Sequence, residues 1–97
     1  KNQSTFLVAF KADHNVPDSV LVEKAYKKLQ ECDADLIVAN DLSRKGSGVG
    51  SDKNEVFIVG KNNDVVHLPL ESKSAIARKL LEIIVSKSNA ANRVSSN

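Results

Sequence analysis

Four side chains carry whatever chemistry this chain has: Phe10, Lys28, Asn40 and Asp41. An aromatic ring at a strand end can stack on a planar base. A lysine ammonium neutralises phosphate as a point charge, and a side-chain amide can hydrogen-bond a base edge or a sugar. The same four also suit a core phenylalanine, a solvated lysine and a turn-forming Asn-Asp pair, and spacing alone does not separate the two readings. His14 and His67 have no metal-ligand spacing to each other or to acidic neighbours, and His67 reads as a structural strand side chain. Cys32 falls on the expected apolar face of a helix, where a thiol is buried and inert. No Ser/His/Asp set or close carboxylate pair is present, so the chain shows no self-contained catalytic machinery.

The glycine-rich stretch Ser43 to Asn54 holds three of the four glycines. Its Gly46-x-Gly48-x-Gly50 spacing matches neither a dinucleotide fingerprint nor a P-loop, and it leads into a strand rather than a helix. A surface loop or subunit contact is the expected role, with Arg44 and Lys45 solvated unless the loop folds over an anion.

The elements that position these residues follow from apolar periodicity. Thr5 to Phe10 is a short apolar run that reads as a strand covered on both faces. Pro17, Asp18 and Ser19 signal a helix start with Asp18 or Ser19 as N-cap. The helix is expected from about Ser19 to Cys32, with Val22, Ala25, Tyr26, Leu29 and Cys32 on one face. Lys28 borders that stripe and can lay its methylenes on a sheet while bringing its ammonium to a cleft rim. Asp35 to Asn40 is a second buried strand, so the three elements make a βαβ unit with parallel strands. In open sheets of this kind ligands lie beyond the carboxyl ends of the strands, here Phe10 to Asp13 and Asn40 to Ser43. Glu55 to Val59 and Val65 to Leu68 follow as a hairpin. A last helix begins near Ser72 with Ile76, Leu80, Ile83 and Ile84 on one face, and from Ser86 a frayed tail is expected.

The 97 residues allow one domain, with 41% hydrophobic residues for its core. Fourteen Lys+Arg against 12 Asp+Glu leave a net charge of +2, too small an excess for a nucleic-acid footprint. A single cysteine excludes an internal disulfide and a multi-cysteine zinc site, and suits a reducing compartment. No apolar run approaches a membrane span, and no signal-peptide pattern opens the chain. The chain begins at Lys1 and has no methionine; together with a first strand that nothing upstream covers, this reads as a piece of something longer.

Four segments in order carry a resemblance: Phe10-Lys11-Ala12-Asp13, Ala25-Tyr26-Lys27-Lys28-Leu29, Asp35 to Asp41, and Gly50-Ser51-Asp52-Lys53-Asn54-Glu55-Val56. Together with Leu68-Pro69 and Ser72-Lys73 they resemble phosphopantothenate–cysteine ligase from about Phe6 to Ser86. The likeness is to the C-terminal half of that domain in bacterial and archaeal bifunctional coenzyme A flavoproteins. It implies an α/β, Rossmann-like three-layer fragment: parallel strands, a crossover helix, a β-hairpin and a C-terminal helix. Residues 1–87 would form that half-domain and residues 88–97 a disordered tail.

The implied activity joins 4′-phosphopantothenate to cysteine through an acyl-cytidylate, with CTP as co-substrate and Mg²⁺ helping to carry the phosphate charge. The family's nucleotide-contacting phenylalanine falls on Phe10 and one of its helix lysines on Lys28. Counting from Phe10 instead selects Lys24 and Lys28; with Asn40, taken from the strand-end reading above, these are the candidate nucleotide-binding residues. A second family lysine would fall on Cys32, which cannot serve, and Val49 stands where the family has a loop phenylalanine. The resemblance further implies a cytoplasmic homodimer, a possible fused phosphopantothenoylcysteine decarboxylase that alone would call for FMN, and no nucleic-acid or membrane partner. As a fragment the chain would be inactive by itself. The rival reading is a non-catalytic α/β module for nucleotide or subunit binding.

Overall fold

The computed structural model describes residues 6–41 and 53–95. The elements are β1 (Val8–Asp13), α1 (Asp18–Cys32), β2 (Leu36–Asp41), β3 (Lys53–Gly60), a 3₁₀ turn (Lys61–Asn63), β4 (Asp64–Ser72) and α2 (Lys73–Ser95). The strands form one sheet in the order β1-β2-β3-β4. β1 and β2 are parallel, and β2–β3 and β3–β4 are antiparallel.

Strand alternation divides the core into two layers. Ile37 and Ala39 of β2, with Phe57 and Val59 of β3, meet Leu21, Ala25 and Leu29 of α1. Leu36, Val38, Val56, Ile58 and Leu68 point the other way and meet Ile76 of α2, backed by Leu80, Ile83 and Ile84. The expected three-layer α/β arrangement is therefore present, and β2 and β3 are apolar on consecutive residues because helices cover both faces.

β1 departs from expectation. The strand spans Val8–Asp13 rather than Thr5 to Phe10, lies at the sheet edge and is half-buried at best. Phe10 is 64% exposed. The apolar run signals a two-sided strand, but among the described residues only β2 pairs with it. Its start is anchored by Asp35, which accepts a hydrogen bond from Leu7 N at 2.8 Å, while Leu7 O accepts one from Asp35 N at 2.8 Å.

In α1 the N-cap is Pro17, with no side-chain cap; Asp18 is already helical. The fully buried ridge is Leu21, Ala25 and Leu29, rotated from the expected stripe. Val22 and Tyr26 are half-buried, and Cys32 is exposed rather than buried. Leu21 is buried in the layer beneath α1, whereas Cys32 opens onto a surface groove. Asp33 closes the helix in the left-handed region (φ 52).

The hairpin is tighter than expected, with Gly60 paired to Asp64 around Lys61–Asn63 and Asn62 at φ 65. Further along, Glu55 of β3 faces both Pro69 and Leu70 of β4, so the proline, which has no N–H to donate, sits in a bulge of an edge strand. Ser72 Oγ accepts from Ala75 N at 3.2 Å and caps α2. That helix carries the expected face and continues through Ser95, past Ser86, where fraying was expected.

Candidate functional site

Lys24, Lys28 and Cys32 each lie three residues beyond a member of the buried ridge Leu21-Ala25-Leu29. They form the neighbouring stripe of α1, and this stripe overhangs β1. Lys11 comes up to meet it, because strand alternation puts Lys11 on the same side of the sheet as Ala9, which packs in the α1 layer. The result is an open groove of about 440 Å³ lined by Lys11, Lys24, Lys27, Lys28, Glu31 and Cys32. Lys28 is half-buried, as its border position implied.

Asp13 ends β1 on the same face. Its Oδ1 accepts from the backbone N–H of His14 at 2.9 Å, and its Oδ2 accepts from Lys24 Nζ at 3.2 Å. The His14 N–H first, and the Lys24 ammonium second, hold its carboxyl below the ordinary value. Among the described residues Lys11, Lys27 and Lys28 have no carboxylate partner. The groove is thus a cluster of ammonium groups, suited to a polyanion.

Phe10 and Asn40 face the other way. Phe10 lies beside Val38 and Ala12 beside Asn40, so both side chains share the α2 side of the sheet with Val8 and Val38. Asn40 Nδ2 donates to Asn54 Oδ1 at 3.4 Å, and that oxygen also accepts from Glu55 N at 2.9 Å. The structure therefore separates the four expected site residues: Lys24 and Lys28 line one groove, while Phe10 and Asn40 share the other face, opposite Val38 and Ala12. The two sets lie on opposite faces of β1–β2, and Phe10 sits mid-strand, three residues before the carboxyl end of β1, rather than at the strand end where the sequence reading placed it.

Asp41 has a structural task. It is 3% exposed, and its carboxylate accepts from Asn15 N and Val16 N, both at 2.9 Å. This fixes the β1–α1 connection, in which Asn15 takes φ 58. His67 bonds Glu55 at 2.5 Å and stacks on Phe57 at 4.5 Å, a cross-strand support as the sequence suggested. The Gly46 to Gly50 loop, with Arg44, Lys45 and Val49, lies outside the described residues.

No group of three or more His, Cys, Asp or Glu that could hold a metal occurs among the described residues. A groove of lysines with a single carboxylate, Glu31, repels a divalent cation, so these residues do not fit a protein-held Mg²⁺ site. Sequence reasoning missed Lys11, Lys27 and Asp13. A lone lysine at the carboxyl end of an apolar strand, on the helix-covered side, was the available signal for Lys11.

Fold and groove together define an open α/β domain with a cationic groove between its crossover helix and the edge strand β1. The profile of the family described as the DNA/pantothenate metabolism flavoprotein C-terminal domain matches residues 1–87, and the chain belongs to that family. It is 33% identical over 93 residues to the coenzyme A biosynthesis bifunctional protein CoaBC of Escherichia coli K12, covering 96% of this chain and 22% of that protein. The Bacillus subtilis CoaBC is 35% identical over 88 residues, covering 91% of this chain and 21% of that protein. Among solved structures, the DNA/pantothenate metabolism flavoprotein from Streptococcus pneumoniae superposes with a TM-score of 0.69 at 34% identity, over 84% of this chain and 34% of the other. The C-terminal domain of CoaBC gives a TM-score of 0.67 at 35% identity, over 89% and 39%. The chain thus spans roughly a fifth of these full-length relatives. No described helix is long and apolar enough to cross a membrane.

Proposed function

We propose that this chain forms one wall of the nucleotide site of a phosphopantothenate–cysteine ligase of coenzyme A biosynthesis. The observation that carries the reading is the groove in which Lys11, Lys24, Lys27 and Lys28 converge beside the carboxyl end of β1. Four ammonium groups in one cleft suit a triphosphate, and the family supplies the reaction class. CTP is the proposed co-substrate. The phosphopantothenate carboxylate attacks the α-phosphorus, its oxygen forming the new P–O bond as pyrophosphate leaves. The cysteine amine then attacks the resulting acyl-cytidylate and CMP departs.

What these residues contribute is binding and charge neutralisation. Lys28 and Lys24 neutralise phosphate oxygens as charge builds on the departing pyrophosphate. Phe10 and Asn40 lie across the sheet from them, so the nucleotide would wrap the open edge of β1, phosphates on the α1 side and base against the exposed ring. Substrate contacts beyond this wall fall to parts of the relatives that the chain does not span. The intact protein is proposed as a cytoplasmic homodimer with a fused decarboxylase, the latter supported by the bifunctional relatives.

The deciding assay uses the intact protein containing this segment, supplied with phosphopantothenate, cysteine and CTP. Pyrophosphate release that requires the acid and CTP, with condensation product only when cysteine is added, is the expected result. Nucleotide binding without turnover under those conditions would favour the non-catalytic module instead.

A further inference from the structure

Of the four groove lysines, Lys24 alone has a carboxylate partner among the described residues. That partner is the more rigid of the two. Asp13 ends a strand in register with Asp41, its second oxygen is tied to the His14 N–H, and its side chain is 18% exposed. Lys24 is 49% exposed on a flexible four-carbon stem. When the pair separates, it is therefore the lysine that moves. Exposed ion pairs are weak and salt-sensitive, and a ligand bearing several negative charges next to Lys11, Lys27 and Lys28 attracts the Lys24 ammonium more strongly than one carboxylate does. Among the described residues no other charged side chain is bonded to Asp13; Lys11, on its own strand, acts on it only through space.

We propose that Asp13 is a positioning residue that competes with the bound anion for Lys24, holding the ammonium at the groove mouth until a polyanionic phosphate draws it inward. The inference rests on the groove being a phosphate site. Asp13 then sets the threshold for occupancy: the site gives up Lys24 to a pyrophosphate group and keeps it from weaker anions.

The test titrates the 97-residue chain with inorganic pyrophosphate at low salt, following the lysine Nζ and Cε resonances by NMR. Asp13→Asn is expected to tighten pyrophosphate binding by about two- to fivefold, the range a released surface ion pair allows. In a Lys24→Gln background the same substitution should change affinity by less than about twofold, since no lysine remains to be released. Asp13→Glu, which restores the carboxylate, should bind like the unmodified chain. An equal gain in both backgrounds would reduce Asp13 to a through-space repulsive charge and overturn the proposal, as would weaker or unchanged binding in Asp13→Asn. Should pyrophosphate move the Lys11 and Lys28 signals while Asp13 shows no coupling to Lys24, the groove stands and this role for Asp13 falls. Should those signals stay still, the phosphate reading of the groove fails, and the Asp13 proposal with it.

Discussion

Lys28 is the residue on which sequence geometry, family resemblance and tertiary position converge. A lysine–phosphate contact is a charge-assisted hydrogen bond worth about 1.5–3 kcal/mol, which corresponds to roughly ten- to hundredfold in affinity. Lys28→Gln in the intact protein should therefore raise the KM for nucleotide by about tenfold or more, with a smaller effect on kcat. Unchanged steady-state kinetics would remove Lys28 from the site. Cys32 shares the groove and is exposed, so a thiol reagent should label it in the folded chain, and pyrophosphate should slow that labelling; a thiol that reacts only after denaturation would contradict its placement. Asp13 offers a titration to follow. Its carboxyl is held low in the folded state, so the associated stabilisation is present above the ordinary carboxylate range and is lost as pH falls through the lowered value. In Lys24→Gln the midpoint should rise part of the way, because the His14 N–H, the larger cause, remains. Chemical-shift titration of the Asp13 carboxyl carbon measures this directly.

At the scale of elements, the connection between β1 and α1 is held by a buried side chain rather than by regular structure. Removing the Asp41 carboxylate leaves the Asn15 and Val16 N–H groups without those acceptors. Asp41→Ala should cost about 2–3 kcal/mol, read as a lower denaturation midpoint, with amide exchange accelerated first at Asn15 and Val16. The hairpin makes a contrasting case. Asn62 sits at φ 65, where a side chain branched at Cβ is strained, so Asn62→Val should destabilise by about 1–2 kcal/mol while Asn62→Gly changes little. Much of this level was legible beforehand. β2, the hairpin strands and the apolar face of α2 follow from runs and periodicity, because burial on both faces leaves a continuous apolar signature. α1 was legible as a helix, but the ridge facing the sheet was not. Leu21 and Cys32 lie at opposite ends of similar stripes, and which of them is buried depends on where the sheet stops beneath the helix.

At the scale of the whole molecule, two small apolar layers flank one sheet, and α1 bridges three strands. Leu21 is fully buried in the layer beneath the groove helix; Leu21→Ala should cost about 2–5 kcal/mol. Because a domain this small has little stability in reserve, calorimetry should show a large drop in melting temperature or loss of the cooperative transition. The proposed site would be spread across both faces of the sheet, the lysines on the α1 side and Phe10 and Asn40 on the α2 side, and no one-dimensional pattern displays that separation except strand alternation applied to β1.

The α/β class, the βαβ start and the border position of Lys28 were determined by the order of side chains, since that sets strand and helix periods locally, and the family was legible in four motifs kept in order. The edge position of β1, the exposure of Cys32, the recruitment of Lys11 and Lys27 and the pairing of Asp13 with Lys24 were decided only by tertiary structure. Each depends on which elements lie side by side, and that is governed by contacts between residues far apart in the chain.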